Sequence, residues 1–314
     1  MDDATMRSKC AGIKVTMEAG DARDWSELPL DALLSVFTKL DAFNILMGAG
    51  LVCHSWLDAV KVPSLWRCVD MASNNDVKAL WFWEKCFCGD IDVLCAMAKE
   101  AVDRSAGQLE VFRGYKFVDD NLLKYIGGRV PCLKVLRLYY CYHILSEGFV
   151  EAINKFPLLE ELELCACVRI GGRPTYEAVG KACQNLKCLK VVKVVPFGYD
   201  TSDDDEAHGI STMHGLRSLS ICFSQFNNKT LSTILDNCPH LESLELNCCF
   251  YIVMDDAMQA KCAGIKVSRL GRRNRMTPKR LGGSRRARRR HRSGPRFPPS
   301  PAFSRWPGKR GSIL

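Results

Sequence analysis

No stretch of this 314-residue chain runs to the eighteen or so consecutive apolar residues of a membrane-spanning helix, so no such helix is expected. The opening residues MDDATMRSKC are acidic and lack an apolar block, so no secretory leader is expected there either. No two cysteines form a C-x-x-C pair, and the six histidines are scattered, so zinc-finger spacing is missing. There is no G-x-S-x-G, no Walker-type phosphate loop and no H-E-x-x-H. The glycine pairs in GGRVP (127–131) and GGRPT (171–175) read as turns. Intrinsic enzymatic activity is therefore not expected, and no cofactor or metal is implied.

Acidic residues are missing from one region. Residues 268–314 hold sixteen Lys and Arg and no Asp or Glu. The chain has 44 basic and 35 acidic residues, so removing sixteen leaves 28 basic against 35 acidic in the rest. The net charge of +9 thus belongs to the tail, while the body is mildly acidic. The tail is also rich in Gly, Pro and Ser, a disordered composition. Its RRARRRHR run (285–292) suits nuclear targeting or phosphate contacts with nucleic acid. A second reading stays open, that the tail lies outside the ancestral reading frame. Cysteine, by contrast, is plentiful: all seventeen lie at or before Cys262. With no leader, they read as buried thiols in a reducing compartment, and the expected location is nucleus and cytoplasm.

The body is periodic. LKVLRLYYC from Leu133, LEELELCAC from Leu159 and LESLELNCC from Leu241 share L-x-x-L-x-L-x-x-C. Weaker copies begin at Leu109, Leu189, Leu216 and Ile265, giving separations of 24, 26, 30, 27, 25 and 24 residues. This is the signature of leucine-rich repeats. Each copy predicts a short strand with alternate side chains inward and a cysteine (Cys141, Cys167, Cys249) tucked beneath its end. Segments such as 146–156 and 228–238 show helical spacing between strands. One unit cannot bury its apolar face alone, so stacking is required.

The heptapeptide KCAGIKV occurs at 9–15 and again at 261–267. Cys262 precedes Ile265 as Cys238 precedes Leu241, so the segment reads as a helix end, a turn and a strand start. The N-terminal copy continues with Thr16 and Glu18 where apolar residues are required. Residues 1–20 are therefore read as an orphan, disordered repeat fragment. The acidic run at 200–209 is expected to be a solvated loop. The cluster WFWEK at 81–85 is expected to pack between the N-terminal module and the repeats.

In residues 24–70, Pro29 suits the first turn of a helix with Leu33, Val36, Phe37 and Leu40 on one face. Asp41 can cap a second helix containing Phe43, Leu46 and Met47. A third is expected from about Leu51 to Val60, with Val52, Trp56 and Ala59 on one side. The order Leu28–Pro29, amphipathic helix, Val52–Cys53-x-x-Trp56, Pro63-x-Leu65–Trp66 closely resembles an F-box. With the repeats, the chain resembles a plant-type F-box/leucine-rich-repeat protein over roughly residues 24–270.

That resemblance implies an α/β (α+β) fold: a three-helix F-box (24–70), a helical linker (71–108) and a short right-handed repeat solenoid (109–270). A basic tail (271–314) follows. It further implies a non-catalytic substrate receptor that joins a Skp-type adaptor and, through it, a cullin–RING ubiquitin ligase. Leu28, Pro29, Leu33, Phe37 and Leu40 are the adaptor-facing candidates. Val52, Cys53, Trp56, Pro63, Leu65 and Trp66 hold the module together. The target is expected on the concave strand surface, at Arg137, Glu161, Glu163, Lys190, Lys193, Ser218, Ser220, Ser243 and Glu245. The alternative is a repeat scaffold or nucleic-acid-associated protein acting through the tail, with an idle F-box.

Overall fold

The computed structural model describes residues 24–72, 91–193 and 203–269. The orphan heptapeptide, the 81–85 cluster and the basic tail lie outside the described residues.

The chain begins with three short helices: α1 (Leu30–Phe37), α2 (Ala42–Met47) and α3 (His54–Ala59). Pro29 sits at the N-cap of α1 rather than inside its first turn. The Asp41 carboxylate caps α2 by accepting from the Asn44 N–H at 2.8 Å, a contact worth about 1 kcal/mol. The third helix, expected from about Leu51 to Val60, begins only at His54. A 3₁₀ turn occupies Ala49–Leu51, and Cys53 in extended conformation caps the shorter α3. Leu33 and Phe37, one helical turn apart, are buried beside Ala59, Val60 and Leu65. Trp66 is sealed beneath them, its indole N–H donating to the Val60 carbonyl at 2.8 Å.

Eight strands follow in chain order in one parallel sheet: β1 (Cys68–Asp70), β2 (Val111–Tyr115), β3 (Val135–Tyr139), β4 (Glu161–Cys165), β5 (Cys188–Val192), β6 (Ser218–Cys222), β7 (Ser243–Asn247) and β8 (Lys266–Ser268). Between successive strands from β1 to β8 run α4 (Ile91–Arg104), α5 (Asp120–Gly127), α6 (Ser146–Ile153), α7 (Arg173–Ala182), α8 (Asp203–Ile210), α9 (Asn228–Asn237) and α10 (Asp256–Lys261). The sheet starts inside the F-box segment, because β1 pairs directly with β2.

The register shows why the repeat needs its residues. Phe112, Leu136, Leu162, Leu189, Leu219 and Leu244 lie opposite one another strand to strand, each fully buried. Removing a side chain from such a stack costs about 2–5 kcal/mol. In the units of β3, β4 and β7 a cysteine (Cys141, Cys167, Cys249) follows the strand as a small apolar group with a weak donor. Cys167 Sγ reaches the Leu138 carbonyl at 3.4 Å and Cys249 Sγ the Ile221 carbonyl at 3.5 Å. The residue directly after β2, β3, β4, β6 and β7 turns the chain in left-handed conformation: Lys116, Tyr140, Ala166, Phe223 and Cys248 have φ between 42° and 59°. The second KCAGIKV copy spans the end of α10, a turn with Gly264 at φ 90°, and the start of β8.

Two expectations need correction. Glu161 pairs with Cys188 and Leu162 with Leu189, so Leu186 rather than Leu189 begins the fifth strand's repeat pattern. The sequence LKCLKVVKV fits L-x-x-L-x-V from Leu186 and L-x-x-V-x-V from Leu189, and the strand register with the burial of Leu186 at 2% exposure selects the first. The acidic run, in turn, is no loop over 203–210 but helix α8, held by the buried side chains of Glu206, Ala207 and Ile210.

Candidate functional site

Two surfaces are organised in unlike ways. In the F-box, the five adaptor-facing candidates divide. Leu33 and Phe37 turn inward at 1% and 0% exposure, which corrects their assignment as surface contacts. Phe37 packs edge-on against Trp56 with ring centroids 5.3 Å apart. Leu28 is half-buried, whereas Pro29 and Leu40 are exposed. Around this stripe stand apolar side chains that the site prediction had not included: Leu30, Val36, Met47 and Leu51. Val36 lies one turn before Leu40, a spacing that could have revealed the pair.

Of the predicted module-holding residues, Leu65 and Trp66 are buried, and Cys53, Trp56 and Pro63 are half-buried. The Trp56 indole donates to the Trp25 carbonyl at 2.9 Å, tying α3 to the start of the segment. Val52 is corrected, standing 57% exposed beside Leu51. Broken helix geometry at Ala49–Leu51 turns both outward.

The second surface is the helix-free face of the sheet. Arg137, Glu163, Lys190, Ser220 and Glu245 occupy matching positions on β3 to β7. Glu161, Ser218 and Ser243 fill the row below. All of these but Ser243 line a depression of about 320 Å³, with Leu162 and Leu189 also in its lining. Its N-terminal part is cross-braced by charge. Arg137 bonds Glu161 at 2.9 Å and lies 3.7 Å from Glu163. Lys190 bonds Glu163 at 2.8 Å, and the Tyr139 hydroxyl donates to the same carboxylate at 3.0 Å. Burial, and the negative charge of Glu163, raise the Tyr139 phenol well above its ordinary range, so it stays a donor.

Lys193 is the exception among the target-facing candidates. The three-residue register shift places it beyond β5, where it pairs with the almost fully buried Glu206 at 2.5 Å. Glu206 also accepts from the Gly172 N–H at 3.2 Å. This ion pair joins the end of β5 to α8 and does not belong to the open face.

The described cysteines are free thiols. Burial pushes Cys183 up to about 12 and Cys238 up to about 11, as expected of inert packing groups. Among the described residues no group of three or more His, Cys, Asp or Glu is placed to hold a metal ion, and no helix is long and apolar enough to cross a membrane.

An F-box-like family model matches residues 25–72. F-box protein SKIP19 of Arabidopsis thaliana is 36% identical over 254 residues, covering 81% of this chain and 79% of that protein. The putative F-box/LRR-repeat protein 22 of the same plant is 36% identical over 76% of this chain and 74% of its own length. The putative F-box/LRR-repeat protein 23 is also 36% identical over 76% of this chain, but only 51% of that protein is covered.

Proposed function

The chain belongs to the plant F-box/leucine-rich-repeat family, and from that premise we propose that it is a non-catalytic substrate receptor of a Skp–cullin–F-box ubiquitin ligase. The F-box docks on a Skp-type adaptor, and the open face of the strands receives a target protein for ubiquitin transfer by other subunits. One observation carries the adaptor half: Leu30, Val36, Leu40, Met47, Leu51 and Val52 are all exposed within the matched segment, at 39–74%. Large apolar side chains that crowd a small module and stay wet mark a surface made for a partner. Burying each contributes about 1.5–3 kcal/mol, so a few of them support stable association.

Pull-down of a purified Skp-type adaptor by the full chain tests this. Capture is expected from the parent and loss from a Leu30→Asp, Val36→Asp double variant of unchanged circular dichroism. Equal capture by both would overturn the docking surface. Removal of residues 270–314 leaves capture intact on this reading, whereas a protein acting through its basic tail would lose its principal interaction. We place the receptor in nucleus and cytoplasm, which imaging of a tagged full chain checks.

A further inference from the structure

The open face changes character along its length. On β3 to β5 the carboxylates of Glu161 and Glu163 are satisfied by Arg137 and Lys190. On β6 and β7 the neighbours shrink to Ser218, Ser220, Ser243 and Asn247, and one carboxylate remains, that of Glu245. It accepts from the Ser220 hydroxyl at 2.7 Å and from the Asn247 amide at 3.0 Å. Those two bonds, Ser220 foremost, hold its carboxyl below the usual range, with Lys190 adding to the effect. The Lys190 ammonium itself sits on Glu163, and Lys266 of β8 lies opposite Ser243 rather than Glu245. Glu245 is thus oriented and ionised by neutral donors, on the wall of the 320 Å³ depression.

Beyond the end of the same strand lies, among the described residues of the repeat domain, the most exposed group of large apolar side chains. Phe250, Tyr251 and Val253 are 72%, 64% and 62% exposed in the turn after β7, and Phe223 is 53% exposed after β6. The Phe223 N–H donates to the Asn247 carbonyl at 2.9 Å, so these strand ends are adjacent. Phe223 holds the left-handed turn, φ 59°, that the equivalent residue after β2, β3, β4 and β7 also adopts.

Glu245 precedes the end of β7 by two residues, about 7 Å of strand. An anionic side chain and an apolar rim therefore stand within a few residues' reach of one extended segment. Resting on the receptor reading above, we propose that the C-terminal end of the sheet recognises a basic–apolar segment of the target protein. A Lys or Arg of that segment seats on Glu245, and apolar side chains two to four positions away cover Phe223, Phe250 and Tyr251. Charge complementarity selects this class: an acidic segment would set a second anion against Glu245, where the hydroxyl and amide donors are already engaged.

The test is selection of a displayed random decapeptide library on the immobilised full chain, with adaptor capture measured on the same preparation. Peptides combining Lys or Arg with Leu, Phe or Trp are expected to enrich. A synthetic peptide from that pool is expected to bind at least tenfold more weakly to Glu245→Gln and to Phe250→Ser, Tyr251→Ser. These substitutions are at surface positions, and unchanged thermal unfolding verifies the fold. An acidic pool, no enrichment, or equal binding by Glu245→Gln would each overturn the proposal. So would enrichment only after residues 270–314 are removed, since the chain's own basic tail would then be the occupant. A dimer lost in the Phe250→Ser, Tyr251→Ser variant would assign the rim to a second copy and likewise overturn it. Adaptor capture that survives any of these outcomes separates failure of this inference from failure of the receptor reading.

Discussion

The F-box leaves Trp25, Leu30, Val36, Leu40, Met47, Leu51 and Val52 in water, whereas the strands of the repeat sheet keep their apolar side chains half-buried or deeper on the open face. That face spends its exposure on Arg, Lys, Glu and Ser, most of the charges already paired with one another. The two surfaces suit different tasks. Apolar burial supplies affinity that is nearly indifferent to salt. Ion pairs exposed on a sheet contribute about 0–1 kcal/mol each and mainly select among partners. A receptor with an invariant adaptor and a particular target needs one surface of each kind.

The largest test of this contrast lies within α1. Phe37→Ala removes a buried ring and should cost about 3–5 kcal/mol of stability, read as a lowered urea midpoint. The Val36→Asp, Leu40→Asp double variant should change stability by under about 0.5 kcal/mol per site while abolishing adaptor capture. Equal effects of the two variants on both readouts would erase the distinction between core and docking face. Glu206→Gln comes next. Breaking its nearly buried pair with Lys193 should cost about 3 kcal/mol and leave adaptor binding unchanged, which urea unfolding and pull-down together check. Asp119→Ala removes the cap of α5, whose carboxylate accepts from the Leu122 N–H at 2.8 Å, and should cost about 1 kcal/mol.

The smallest expected effect is chemical. Hydrogen bonding with the Ser55 hydroxyl and the Trp56 backbone lowers the Cys53 thiol below its ordinary value, whereas burial raises Cys183. Iodoacetamide should modify Cys53 before Cys183, as followed by peptide mass mapping. Faster labelling of Cys183 would mean that the repeat core opens more readily than the F-box surface.

The repeat architecture was legible because three units carry L-x-x-L-x-L-x-x-C without blemish, each consonant and cysteine having one physical place. The register of β5 was misread because Val192 and Val194 make a plausible apolar pattern from Leu189, although Leu186 with Leu189 fits the leucine pattern better. Cys183, three residues before Leu186 as Cys238 is before Leu241, carried the missing signal. Helix α8 escaped because DDDE reads as solvated. Its acidity hides one buried carboxylate, Glu206, whose cation lies across an interval of thirteen residues. In the F-box, α1 is apolar on several sides, so periodicity located the helix without separating Leu33 and Phe37, which face the core, from Val36 and Leu40, which do not. Which apolar side chains a small module leaves out depends on the break at Ala49–Leu51, where Gly48 and Gly50 mark the end of a helix but not which way Leu51 and Val52 then turn.

The central claim is that the exposed apolar face of the F-box is a docking surface buried by a Skp-type adaptor. Calorimetric titration of the full chain with purified adaptor at several temperatures tests it most directly. The account predicts saturable one-to-one binding with a clearly negative heat-capacity change, as burial of apolar surface requires. Folded protein that gives no binding, or binding with no heat-capacity change, would contradict it.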